Sequence, residues 1–339
     1  MISLLKFILN IQFKRSGINK TISGFTLVEL LIGMAMAILV ITPLMAFMIN
    51  ILDTDRKEQA KTTSEQEIQA ALDYIARDLQ QAVYIYDGDG VNRVRNTTPI
   101  SSSGIKDQIP PVKTASNCSD ASTCKPILVF WKRKFIADSV GISSTSQTSA
   151  AQTDDGFAYS LVAYYLITNT NSANSTWSKE ARIGRFELQG PVAAANANTT
   201  GSASDTGFNP PPINSSGATL KEKMNQWQTA LGASDNYSTN NPVVTLVDYI
   251  STTAPGSTIN TSAAATACPG INPGAKLIGT QTTGFFACVD ANEVLAQVYI
   301  RGNALARVQN NNLAYSDSKK TYFPSSSIQV QGRGYLFSK

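Results

Sequence analysis

The chain has 339 residues, a formal net charge of +4, four cysteines and no histidine. The missing histidine excludes Ser-His-Asp and Cys-His catalysis, His-ligated zinc and imidazole acid–base chemistry. Four cations, Lys6, Lys14, Arg15 and Lys20, precede Gly24 with no acid among them, so the rest of the chain carries 24 basic and 24 acidic side chains and its basic pI does not point to nucleic acid.

After that basic flank the run from Phe25 to Leu52 has Glu29 as its only charged residue. Its 28 residues would span about 42 Å as a helix, enough to cross a bilayer, and the positive flank sets the remainder outside. A lone carboxylate in such a segment is expensive and calls for a functional explanation. An ordinary secretory signal needs a small-residue cleavage site after the apolar run, and Thr42-Pro43-Leu44 offers none. A plain membrane anchor with an accidental Glu29 is the simpler alternative. Pro43 predicts a local kink.

The helix is expected to continue into water. From Asp53 to Gln66 the chain is polar and rich in helix formers, and Ile68, Leu72, Ile75, Leu79, Val83 and Tyr86 then form one apolar stripe at steps of three and four. Asp73 and Arg77 are spaced as an i,i+4 ion pair, and Asp87-Gly88-Asp89-Gly90 is expected to stop the helix. The stripe covers too few heptads for a coiled-coil seam and predicts packing on a sheet of the same chain.

Beyond Gly90 short β-like runs alternate with Ser/Thr/Asn/Ala-rich stretches. Strands are expected within 126–136, 157–168, 182–188, 243–250, 284–289 and 294–301, where β-branched and aromatic residues cluster. Residues 182–188 alternate, with Gly184, Phe186 and Leu188 on one face and Ile183, Arg185 and Glu187 on the other. A short helix is expected over 221–231. Low-complexity stretches at 138–155, 191–219 (with Pro210-Pro211-Pro212) and 252–266 read as surface insertions. The organisation expected is therefore α+β: a flank at 1–24, a membrane-length helix at 25–52, its amphipathic continuation at 53–86 and a β-rich head at 87–339.

The cysteines fall into two local pairs, Cys118–Cys124 and Cys268–Cys288, each bracketing a short loop, and an outward-facing head would meet an oxidising compartment. Reduced, packed thiols are the alternative. Zinc is disfavoured because no CxxC spacing is present.

No cofactor is expected. Asp87, Asp89 and Asn92 place oxygen ligands at spacings used by calcium loops, but an EF-hand would need an acid where Thr98 stands, and a solvated turn is the simpler reading. Trp131-Lys132-Arg133-Lys134 is basic and aromatic, yet on a strand its cations would point to both faces, which fits a single ligand surface poorly. Tyr159, Tyr164 and Tyr165 could stack on sugars, with core packing the more ordinary role.

The stretch Gly24-Phe25-Thr26-Leu27-Val28-Glu29 closely resembles the class III (type IV) prepilin signal. The resemblance implies cleavage after Gly24 by a membrane prepilin peptidase and N-methylation of Phe25. It also implies that Glu29 pairs with the new N-terminal ammonium of a neighbouring subunit during filament assembly. Glu67 to Ala82, with Arg77-Asp78-Leu79-Gln80 closing the helix, is similar to the larger tip-type subunits: W-type minor pilins and the J-type pseudopilins of type II secretion. Val162-Ala163-Tyr164-Tyr165 and Arg182-Ile183-Gly184-Arg185-Phe186 are similar to the same group. The size, Tyr84-Ile85-Tyr86-Asp87 and the loop style look most like the cyanobacterial hormogonium polysaccharide-secretion pseudopilins of the C type.

The resemblance implies a type IV pilin-like fold and a low-copy structural subunit, not an enzyme, in the inner membrane with an extracytoplasmic head. Its expected partners are the peptidase, other pilins or pseudopilins, an inner-membrane assembly platform and an exported polysaccharide, in support of secretion and gliding motility. No nucleic-acid partner is expected. The alternatives are a minor pilin of a motility, adhesion or DNA-uptake pilus, a type II secretion pseudopilin, or a membrane-anchored enzyme built on a Ser–Lys arrangement.

Overall fold

A computed structural model describes residues 24–141, 153–168, 176–192, 203–237, 241–253, 268, 274–311 and 313–334. The basic flank at 1–23, and much of the three low-complexity stretches, lie outside the described residues.

The first element is one 54-residue helix, α1, Leu27–Gln80, which continues through Pro43. Residues 24–56 are exposed along their whole length. Beyond them one stripe is buried, including Ile68, Leu72, Ile75 and Leu79, the first four of the expected six positions. The boundary between the two compact units of the chain falls between Asp55 and Arg56, inside this helix.

The last two stripe positions are not helical. α1 ends at Gln80, and β1, Ala82–Ile85, follows with all four residues buried. Val83, Tyr84 and Ile85 are β-branched or aromatic, and a strand covered on both faces carries apolar residues regardless of period, so its spacing merely continued the helical pattern. Asp87-Gly88-Asp89-Gly90 then starts a helix instead of stopping one. Asp87 caps the short α2, Gly88–Asn92, and its side chain accepts from the Asp89 and Gly90 amides.

The head contains two antiparallel sheets. The first has the order β1-β2-β3-β4-β5, with β2 Cys124–Gly141, β3 Thr153–Ile167, β4 Ala181–Gln189 and β5 Val244–Ile250. The second has the order β6-β7-β8-β9, with β6 Lys276–Ile278, β7 Phe285–Asp290, β8 Leu295–Arg301 and β9 Ser325–Gln331. All six expected strands are present. β2 and β3 run further than expected, into both ends of the stretch taken as a loop at 138–155. Phe135 stacks edge-to-face on Phe157 along this hairpin, which helps to extend it.

Both faces of the first sheet are covered. Asp78 of α1 bonds Tyr164, Lys132 and Arg185, which marks the face turned to the helix. On the opposite face Trp131 packs edge-to-face against Trp227 and Phe208, and Phe186 against Tyr237. The stretch 203–219 is therefore not only a surface insertion: Phe208 helps to close the core. The helix expected over 221–231 is the shorter α3, Leu220–Met224, because Trp227 leaves helical geometry to bury its indole, whose N–H donates to the Asn209 carbonyl at 2.9 Å.

Disulfides join Cys118 to Cys124 and Cys268 to Cys288, with Cα separations of 5.5 and 5.6 Å. They bridge 6 and 20 positions of sequence. The first staples the start of β2 and the second ties residue 268 to β7.

Candidate functional site

Two candidate sites lie on α1, one in each compact unit. In the first, Gly24 and Phe25 precede the helix, and Phe25 is 82% exposed. Thr26 caps the helix: its hydroxyl accepts from the Glu29 amide at 3.3 Å and its carbonyl from the Leu30 amide at 3.1 Å. Glu29 stands in the first turn, where the helix dipole favours a negative charge. Among the described residues no side chain donates to its carboxylate. The segment that follows is long and apolar enough to cross a bilayer, and its residues are exposed among the described residues.

The second site is a charged seam between α1 and the first sheet, and here sequence reasoning missed the central residue. Asp78 is nearly buried, with a side chain 11% exposed. One carboxylate oxygen accepts from Lys132 Nζ at 2.9 Å, and the other from Arg185 Nε at 2.8 Å and from the Tyr164 hydroxyl at 2.7 Å. Glu187 extends the array, meeting the other end of the Arg185 guanidinium at 2.8 Å, Lys134 at 3.2 Å and Lys132 at 3.5 Å. Burial opposes ionisation of Asp78, yet Arg185 and Lys132 hold its carboxyl below the usual carboxylate range. Glu187 is likewise lowered by Arg185, Lys132 and Lys134 against the effect of burial. Burial, and then the Asp78 charge, push the Tyr164 hydroxyl well up, so it remains a proton donor to the seam.

The residues weighed above as less favoured ligand contacts are engaged in this packing. Trp131 is fully buried, Lys132 is locked to Asp78 and Glu187, and Arg133 stacks over Phe157 at 3.9 Å, so 131–134 forms no common cationic surface. Tyr164 and Tyr165 are core residues. Asp73 and Arg77 do not pair through their charges: Arg77 donates to the Asp73 carbonyl at 3.2 Å, while the Asp73 carboxylate accepts from Gln69 at 3.0 Å.

At Asp87, Asp89 and Asn92, the weaker calcium alternative to a solvated turn, the two acids are engaged by cations of the chain. Lys221 bridges both, and Lys276 and Arg93 also meet Asp89. Burial works against ionisation of Asp89, but the bonds from Lys221 and Lys276 lower its pKa to about 2. Among the described residues no cluster of three His, Cys, Asp or Glu side chains could hold a metal ion.

Comparison with protein-family models, curated proteins and solved structures finds no match to this chain.

Proposed function

We propose that this chain is a low-copy, pilin-like structural subunit of a filament machine related to type IV pili. The observation that carries the reading is the state of α1 up to Leu52: an exposed apolar helix whose one charge, Glu29, finds no counter-charge among the described residues. Such a surface is satisfied by lipid, and then by the equivalent helices of neighbouring subunits. In the proposed assembly Gly24 is the last leader residue, and Phe25 becomes the methylated N-terminus. Its ammonium on one subunit meets Glu29 of another, so an ion pair sheltered from water registers the helices. The head would remain outside the membrane, with its seam holding it to the second half of α1.

Exchanging Glu29 for alanine is expected to leave the protein in the membrane and its head folded, while cross-linked recovery with other filament subunits falls sharply. Undiminished recovery would contradict the mechanism. The machine served, polysaccharide secretion with gliding in preference to a motility pilus, rests on the resemblance of 65–87. A deletion strain tests it: loss of released polysaccharide with surface pilin retained favours secretion, and the reverse pattern favours the motility pilus.

A further inference from the structure

In the unit Arg56–Lys339 a groove of about 660 Å³ runs between α1 and the edge strand β5, and a smaller one of about 310 Å³ shares Tyr74, Thr245 and Leu246 with it. Three aromatic rings line the pair: Tyr74, 40% exposed, Trp177, 43% exposed, and Tyr249. Each has an arginine over it, Arg185 on Tyr74 and Arg182 on Trp177 both at 5.7 Å, and Arg307 on Tyr249 at 4.1 Å. These contacts hold the rings as fixed plates. The ionisable lining balances: Arg77, Arg185 and Arg307 face Glu67, Glu187 and Asp248.

Tyr249 carries a second sign. It sits at φ 60°, in the left-handed region that bulky residues avoid, within a strand. Such strain of roughly 1–3 kcal/mol persists only where the surroundings impose it, and it clusters at ligand sites. Here the conformation coincides with an irregular pairing of β5 on β4 and places Tyr249 in the groove wall.

We propose that this groove binds a neutral oligosaccharide, whose pyranose rings lie with their C–H faces on Tyr249, Trp177 and Tyr74. Fixed aromatic plates suit the apolar faces of a sugar ring, and the charged side chains supply donors and acceptors for its hydroxyls. The balanced lining disfavours a polyanion. An extended peptide would need a regular strand edge. β5 lacks one: its register on β4 shifts twice, and its ends are bonded elsewhere, Val243 N–H to the Ser116 carbonyl and the Tyr249 carbonyl to Asn303 N–H. The groove belongs wholly to the unit Arg56–Lys339 and uses neither Phe25 nor Glu29, so its failure would leave the assembly reading standing.

The test is calorimetric titration of the full-length chain, in a detergent without a sugar headgroup, with cellohexaose, maltohexaose, mannohexaose and the acidic hexagalacturonate. At least one neutral hexasaccharide is expected to bind, and more tightly than the acidic one. Trp177→Ala and Tyr249→Gly are each expected to weaken that binding by about two- to tenfold. Phe286→Ala, outside the groove, is expected to leave it unchanged. Tyr249→Gly removes the ring while relieving the left-handed backbone, so its thermal midpoint should not fall, and Tyr249→Phe should retain affinity. Absence of binding to every neutral hexasaccharide, preference for the acidic one, or full affinity in both Trp177→Ala and Tyr249→Gly would overturn the proposal.

Discussion

Within α1, residues before Asp55 and residues after it treat the same two problems in opposite ways. In the first part Leu27, Leu39 and Phe47 are exposed, and in the second Leu72, Ile75 and Leu79 are buried. Glu29 has no counter-charge among the described residues, whereas Asp78 takes three donors from three different strands. A continuous helix can thus hold one carboxylate that the fold itself satisfies and another that it leaves for something else to satisfy. The first is a matter of stability, and the second is the one that the proposed assembly would use.

The contrast can be broken most forcefully at Asp78. Asp78→Ala leaves Lys132 and Arg185 with Glu187 alone as their shared counter-charge and is expected to cost about 3 kcal/mol in chemical denaturation of the head. A loss under about 1 kcal/mol would show that the seam does not anchor the helix. Apolar truncation sharpens the comparison. Leu72→Ala should cost about 2–5 kcal/mol, while Leu39→Ala should move head stability by no more than about 0.5 kcal/mol, and equal effects would erase the distinction.

Removing a disulfide is expected to have no larger an effect, about 2 kcal/mol for Cys118→Ser with Cys124→Ser and about 3 kcal/mol for Cys268→Ser with Cys288→Ser, the longer loop, measured by chemical denaturation of each pair of substitutions. The reverse ranking would mean that loop closure is not what the bridges contribute. Acid should weaken the seam. Asp78 and Glu187 have lowered folded pKa values, so their stabilisation is complete above their ordinary values of 3.8 and 4.5 and fades as pH falls through the folded ones. Midpoints followed from pH ~6 to ~2 should therefore drop less in Asp78→Asn than in the parent protein. The smallest effect belongs to Asp73→Ala, on the exposed face, at about 0.5 kcal/mol or less.

What was legible in the sequence follows from how local the signal was. The apolar helix, the first four stripe residues and the six strands rich in Val, Ile, Phe and Tyr could be read because near neighbours carry the pattern. β1 was hidden because Val83 and Tyr86 prolong a helical spacing by coincidence. β9 was hidden because Ser325, Ser326, Ser327 and Gln329 lack apolar alternation, and it is recruited by pairing with β8. Asp78 looked like one more charge on a polar helix face. Its partners Lys132 and Arg185 lie 54 and 107 positions away, and only the pairing of β2, β3 and β4 brings them together. The alternation of Ile183, Arg185 and Glu187 on one face was the usable clue, since it put two charges on a sheet face that a helix could cover. The groove beside β5 had no local signature at all, because Tyr74, Trp177 and Tyr249 come from separate elements.

The most direct test of the assembly account is intact-mass and N-terminal peptide analysis of the protein purified from its native membrane. The account predicts a chain that begins at Phe25, methylated on its α-amine, with the exposed helix and Glu29 retained. A chain that keeps residues 1–24, or one cut after the apolar segment, would contradict it.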